Sequence, residues 1–205
     1  MAGCETNSQQ EADDQPISAA SAMDSARQDT AAVITMINEK DRTLTDTMDE
    51  RLRPVRENFK RINAITHWTK VDTTNPGEAL EGSEALLYYL NGQLEKITAK
   101  YLGETYRQTD EYYLLNGALS FMLEKTYRYN RPIYYDSAAM KAENDTEAFD
   151  FNRSTIIEAR SYFENGKLIY QVNSRNKAAS HTGSYLLKEQ KRINAGFQKL
   201  KKRRL

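Results

Sequence analysis

Tyr88-Tyr89-Leu90-Asn91-Gly92-Gln93-Leu94 is the stretch that decides the fold, because its frame occurs three times. It returns as Tyr113-Leu114-Leu115-Asn116-Gly117-Ala118-Leu119 and again as Tyr162-Phe163-Glu164-Asn165-Gly166-Lys167-Leu168. The shared pattern is Tyr-x-x-Asn-Gly-x-Leu. Asn-Gly between apolar, β-prone residues predicts a two-residue hairpin, since a type I′ turn needs positive φ at both central positions. Such turns also fix register. Tyr89 should face Leu94, Leu114 should face Leu119 and Phe163 should face Leu168, all on one buried face. On the other face Tyr88 should meet Glu95, Tyr113 Ser120 and Tyr162 Ile169, giving a more polar surface open to water.

Working outward, strands are expected at 84–90, 93–102, 107–115, 118–129, 156–163 and 166–173. An earlier strand is expected over 61–71, where Thr, Ile, Val and Trp dominate. Helix continuation through Ile62 and Ile65 is the competing reading of 59–71. Residues 72–82, with Asn75-Pro76-Gly77, read as a loop. The Asn-Gly turns are 25 and then 49 residues apart. The second interval is nearly double, so the polar segment 136–152 reads as a mobile insertion standing where one turn is missing.

Helical periodicity flanks the sheet. Val33, Ile37, Leu44, Met48, Leu52 and Val55 recur at three-, four- or seven-residue steps after an N-cap at Asp24 or Ser25. Pro54 is expected to end or kink that helix. Leu186, Gln190, Ile193, Phe197 and Leu200 mark a second amphipathic helix near the C-terminus. The expected fold is therefore α+β: an antiparallel β-meander of about six to eight strands, an N-terminal helix and a C-terminal amphipathic helix. Residues 1–23 read as a disordered acidic tether. Residues 24–205 read as one domain, with a helix over 24–53, the meander over 60–174 and a helix over 184–203.

Charge is balanced overall, with 29 Lys and Arg against 29 Asp and Glu, but it is sorted along the chain. Residues 1–50 hold eleven acids against three bases; residues 186–205 hold eight bases against one acid. The two helices thus lie on backgrounds of opposite sign, and they are expected to neighbour each other, within a monomer or across a dimer. The basic C-terminal helix also suits its own dipole. The single cysteine, Cys4, excludes an intrachain disulfide, and no apolar run approaches membrane-spanning length.

The Tyr-x-x-Asn-Gly-x-Leu frame resembles MORN-like repeats, which build antiparallel β-meanders. Ala2-Gly3-Cys4, followed by a polar acidic stretch, resembles the end of a bacterial lipoprotein signal at the cysteine that becomes lipidated. Together they resemble small secreted or lipid-anchored bacterial proteins that carry such hairpin repeats. The resemblance implies a cell-envelope location, periplasmic or on the outer membrane, with a membrane anchor at Cys4. A native start at Met1 would instead imply the cytoplasm.

Chemistry is sparse. His67 and His181 lie 114 residues apart without ligand spacing, and no P-loop, Gly-x-Ser-x-Gly or Gly-x-Gly-x-x-Gly occurs. Asp110-Glu111 reads as a solvated pair of acids. No enzyme, metal or cofactor is expected. The candidate binding residues are Tyr127, Arg128, Tyr129, Arg131, Tyr134 and Tyr135, with Trp68 apart from them. Aromatic side chains interleaved with arginine suit a protein, peptide or glycan ligand, although a strand end wrapped by amphipathic side chains has the same pattern. Trp68 could stack on a sugar or anchor a strand. The alternative function is a cytoplasmic nucleic-acid-binding or regulatory protein using the basic C-terminal helix; nucleic acid is otherwise not expected as a partner.

Overall fold

The computed structural model describes residues 46–77, 79, 81–174 and 183–202. The expectations for the tether at 1–23, Cys4, the helix start at Asp24 or Ser25, His181 and Arg203-Arg204 lie outside these residues. Helix α1 spans Asp46–Asn63, and strands β1 to β5 span Lys70–Thr74, Gly82–Leu90, Gln93–Gly103, Tyr106–Leu115 and Ala118–Arg128. A short helix α2 (Ser137–Ala142) and a single 3-10 turn at Phe151–Arg153 precede β6 (Thr155–Glu164), β7 (Lys167–Asn173) and helix α3 (Gly183–Lys202). The seven strands form one antiparallel sheet in chain order, the expected α+β meander.

The three Asn-Gly turns close β2–β3, β4–β5 and β6–β7. Asn91, Asn116 and Asn165 have φ near +50°, and the following glycines have φ of +75° to +79°, the conformation that a type I′ turn demands. The expected pairs Tyr89–Leu94, Leu114–Leu119 and Phe163–Leu168 all form. One step further the register differs from expectation in the same way each time. Tyr88 faces Lys96, Tyr113 faces Phe121 and Tyr162 faces Tyr170, so Glu95, Ser120 and Ile169 are each an extra residue in a β-bulge.

The bulges change what lies on the second face. Tyr113, Phe121 and Tyr162 form an aromatic row across neighbouring strands, continued by Tyr170, with adjacent rings 5.0–5.8 Å apart. Phe59 of α1 sits on this row, 4.8 Å from Tyr113 and 5.3 Å from Phe121. The face expected to be polar and wet is therefore a core. Leu52, Val55, Phe59 and Ile62 of α1 are buried, at helical steps of three and four. Each buried side chain of this size contributes about 1.5–3 kcal/mol. Together they outweigh the roughly 3 kcal/mol cost of a helix proline, which explains why α1 runs through exposed Pro54 to Asn63 rather than ending there. The same burial decides 59–71: residues 59–63 are helix, and the first strand starts only at Lys70.

Polar side chains of α1 meet each hairpin. Arg61 pairs with the bulge residue Glu95 at 2.6 Å. Asn58 donates to the Leu114 carbonyl at 2.8 Å and to the bulge residue Ser120 at 3.1 Å. Arg51 pairs with Glu164 at 2.6 Å. Helix α3 packs on the opposite face. Its Ile193, Phe197 and Leu200 join Leu87, Ile97, Tyr112, Leu114, Leu119, Met122, Phe163 and Leu168 in the main core. Within one chain the sheet separates the two helices that charge sorting predicts to be neighbours, because alternation sends Tyr112 to α3 and Tyr113 to α1.

Candidate binding surface

Residues 129–154 connect β5 to β6 at the end of the sheet away from the Asn-Gly turns. No Asn-Gly hairpin is missing; the doubled interval comes from lengthening a connection that, between β3 and β4, takes only Glu104 and Thr105. Nor is the segment a structureless loop. Tyr129 and Ile133 donate backbone hydrogen bonds to Thr105 and Glu104 at 2.9 and 2.8 Å. Asp136 caps α2. Asn130 ties the two arms together, donating to Glu147 and to the Ala148 carbonyl while accepting from the Asp150 amide.

Most of the expected binding residues are used in building this crossover. Tyr127 is buried and stacks on Phe151 at 5.4 Å, and the Arg107 guanidinium lies 4.4 Å from Tyr127 and 4.7 Å from Phe151. Tyr129 meets Phe149 edge-on at 5.2 Å. Tyr135 is buried and donates its hydroxyl toward Glu143 and Asp145. Arg131 pairs with Asp145 at 2.7 Å and covers the Tyr135 ring. Burial and hydrogen bonds to these carboxylates hold the Tyr135 hydroxyl above its usual range. A backbone hydrogen bond from Thr146, with Arg131 beside it, holds Asp145 low. Arg128 and Tyr134 remain exposed.

Trp68 does not join the cluster. It lies beside Tyr88 at 5.2 Å, next to Thr69, whose amide and hydroxyl bind the Tyr89 carbonyl at the Asn-Gly end. His67 is an exposed neighbour, its Nδ1 2.9 Å from the Thr66 hydroxyl.

Among exposed polar residues such as Asp136, Lys141, Glu143, Asn152 and Arg153, the crossover also presents large apolar side chains outward. Tyr134 is 63 % exposed, Ile156 55 %, Ile133 44 % and Phe151 37 %. Of the six large hydrophobic side chains exposed among the described residues, these four belong to the crossover and the first turn of strand after it. Ile156 is the cross-strand partner of Tyr127, and Phe151 stacks on that same Tyr127, so those two share a patch. Sequence reasoning passed over Phe149, Phe151 and Ile156. The signal was there: Phe149-x-Phe151 repeats the spacing of Tyr127-x-Tyr129 across the insertion.

A second polar constellation lies beneath α3. Asp110 and Glu111 are not a solvated pair; strand alternation sends them to opposite faces. Glu111 pairs with Lys96 at 2.8 Å and accepts from Tyr113. Burial acts to raise its pKa, but Lys96 and Tyr113 outweigh that and hold it low. Asp110 is 5 % exposed and directly opposite Glu124. It accepts from Gln108 at 2.9 Å, with the Tyr112 hydroxyl 3.4 Å away. Burial, then the Glu124 charge, pushes its pKa up to about 7. Arg192 of α3 binds Glu124 at 2.7 Å and Glu189 at 3.0 Å. A carboxyl titrating near neutrality has the property a general acid needs. This one is enclosed between sheet and helix, which suits a structural joint better than a substrate site.

No protein-family model, curated protein or solved structure matches this chain.

Proposed function

We propose that this chain is a non-catalytic binding or structural module of the bacterial cell envelope, held at a membrane by lipidated Cys4. Its crossover end meets a protein, peptide or glycan. The observation that carries the binding surface is the concentration of exposed apolar side chains, Ile133, Tyr134, Phe151 and Ile156, on the crossover and the start of β6. Isolated exposed hydrophobics need no explanation, but several large ones gathered on one segment, two of which, Phe151 and Ile156, meet over the ring of Tyr127, suit an interaction site. Tyr127, Tyr129, Arg131 and Tyr135 act here by holding the surface rigid, which lowers the ordering cost of binding. Tyr134 and Arg128 are the members of the expected set that reach a ligand. The anchor rests on Ala2-Gly3-Cys4 and the acidic stretch behind it.

Two measurements in the native host test the proposal. A photo-crosslinking residue at Tyr134 should give a discrete adduct that is absent when the same residue replaces exposed Lys60 of α1. Equal labelling at both positions, or none at Tyr134, removes the surface. Cys4→Ser should move the chain out of the membrane fraction once a high-salt wash has stripped chains held by charge alone; unchanged fractionation after that wash removes the anchor.

A further inference from the structure

Helix α3 buries one stripe and exposes the opposite one. Ile193, Phe197 and Leu200 face the sheet. At 100° per residue the arc opposite them carries Ser184, Leu187, Lys188, Lys191, Ala195, Gln198 and Lys202, all exposed. No acid lies on this arc. The one acid of the helix, Glu189, points to the flank and is bound by Arg192, which also neutralises Glu124 of the sheet. Lys188, Lys191 and Lys202 have no ion-pair partner among the described residues. From Lys188 to Lys202 the row of cations runs about 21 Å along the helix. Leu187, 56 % exposed, stands at its start.

The geometry points to the outer face of α3 as a docking surface for an anionic lipid bilayer. A straight helical arc with spaced lysines, one exposed leucine and no acid fits a flat negative plane. The chain as a whole has no net charge, with 29 cations and 29 anions, so attraction to a bilayer must come from a face rather than from the total. Nucleic acid is the competing anion. A duplex or single strand is met by a curved or grooved surface with arginines and stacking rings, whereas this arc is straight, built on lysine and carries no aromatic residue. The inference rests on the envelope reading only for its choice of a membrane as partner, and it does not use Cys4.

The test is co-sedimentation of the full chain, without an acyl group, on vesicles of pure phosphatidylcholine and of phosphatidylcholine with about 30 % phosphatidylglycerol. Binding should occur only on the anionic vesicles and should collapse as salt shortens the screening length from about 10 Å at 0.1 M to about 3 Å at 1 M. Each lysine at an anionic surface is worth about a fivefold change in partition, so Lys188→Gln, Lys191→Gln and Lys202→Gln together should weaken binding about a hundredfold. The same three changes at exposed Lys60, Lys100 and Lys167 should not. Equal loss in both triple variants, equal binding to neutral vesicles, or no vesicle binding by the wild type overturns the inference. So does tighter binding of a 20-nucleotide RNA or DNA than of the vesicles. Failure of the Cys4→Ser experiment leaves this result standing, because the vesicle chain carries no acyl group.

Discussion

Replacing Asp110 by Asn should make the protein more stable at pH 8 and change it little at pH 4. The carboxyl is 5 % exposed and its pKa is pushed from 3.8 up to about 7 by burial and by Glu124. Because the folded chain holds this proton more tightly than the unfolded chain, stability falls as pH rises from about 4 to about 7 and levels above that. At about 1.4 kcal/mol per pH unit, the whole decline is roughly 4 kcal/mol, of which roughly 2.5 kcal/mol falls between pH 5 and pH 8. The amide of the variant keeps the volume, cannot ionise, and removes that slope. Other shifted carboxyls do not blur the window. Glu111, Asp145 and Glu164 are held below their ordinary values, so the stability they lend is lost only as pH falls below about 5. Urea unfolding of both chains at pH 4.5, 6, 7 and 8 gives the difference curve, which should rise with pH and flatten near pH 7. Glu124→Gln should move the midpoint down, since one of the charges that opposes ionisation is gone. A flat or falling difference curve refutes the argument.

Other substitutions address the helix–sheet joints. Asn58→Ala removes the donor to the Leu114 carbonyl and to the Ser120 oxygen beneath α1, leaving the Ser120 hydroxyl only its bond to the Tyr113 carbonyl, and should cost about 1–3 kcal/mol in urea unfolding. Phe197→Ala empties a site in the main core beside Tyr112 and should cost about 3–5 kcal/mol. Pro54→Ala restores a backbone donor on the exposed side of α1 and should raise stability by about 1–3 kcal/mol, read as a higher melting temperature.

The sheet was legible in the sequence because a two-residue turn carries its own conformational demand: Asn-Gly at 91, 116 and 165 leaves the backbone little choice. The first pair beyond each turn follows from that turn alone. The next pair does not, since a bulge depends on what packs over it, and Asn58 and Arg61 lie more than thirty residues away from the bulges they meet. The extent of α1 past Pro54 was hidden for a related reason. Local propensity stops the helix there, while burial of Phe59 and Ile62 continues it. Tyr127, Arg131 and Tyr135 were found by composition, but their role depends on Phe151, Asp145 and Glu143, partners that only the folded crossover brings together. Exposure of Ile156 likewise depends on which face the crossover leaves open.

The three bulges make the strongest case that the hairpins are one repeated device, and deletion separates that view from its rival. Ser120 is an inserted residue: Leu114–Leu119 on one side and Tyr113–Phe121 on the other are already paired. Deleting Ser120 therefore keeps every other pair, leaves Leu119 facing α3 and Phe121 facing α1, and removes only the hydrogen bonds that its hydroxyl makes with Asn58 and the Tyr113 carbonyl. The expected loss is about 2 kcal/mol, that of an unsatisfied buried group. Met122, two residues on, sits in regular ladder opposite Tyr112. Its deletion turns every later residue of β5 to the wrong face, sending Leu123 out of its place and Glu124 into the α1 core. That chain should not fold. If the two deletions are equally damaging in urea unfolding, Ser120 belongs to the ladder and the bulge reading is wrong; if only the second abolishes folding, the turn and its bulge travel together as a unit.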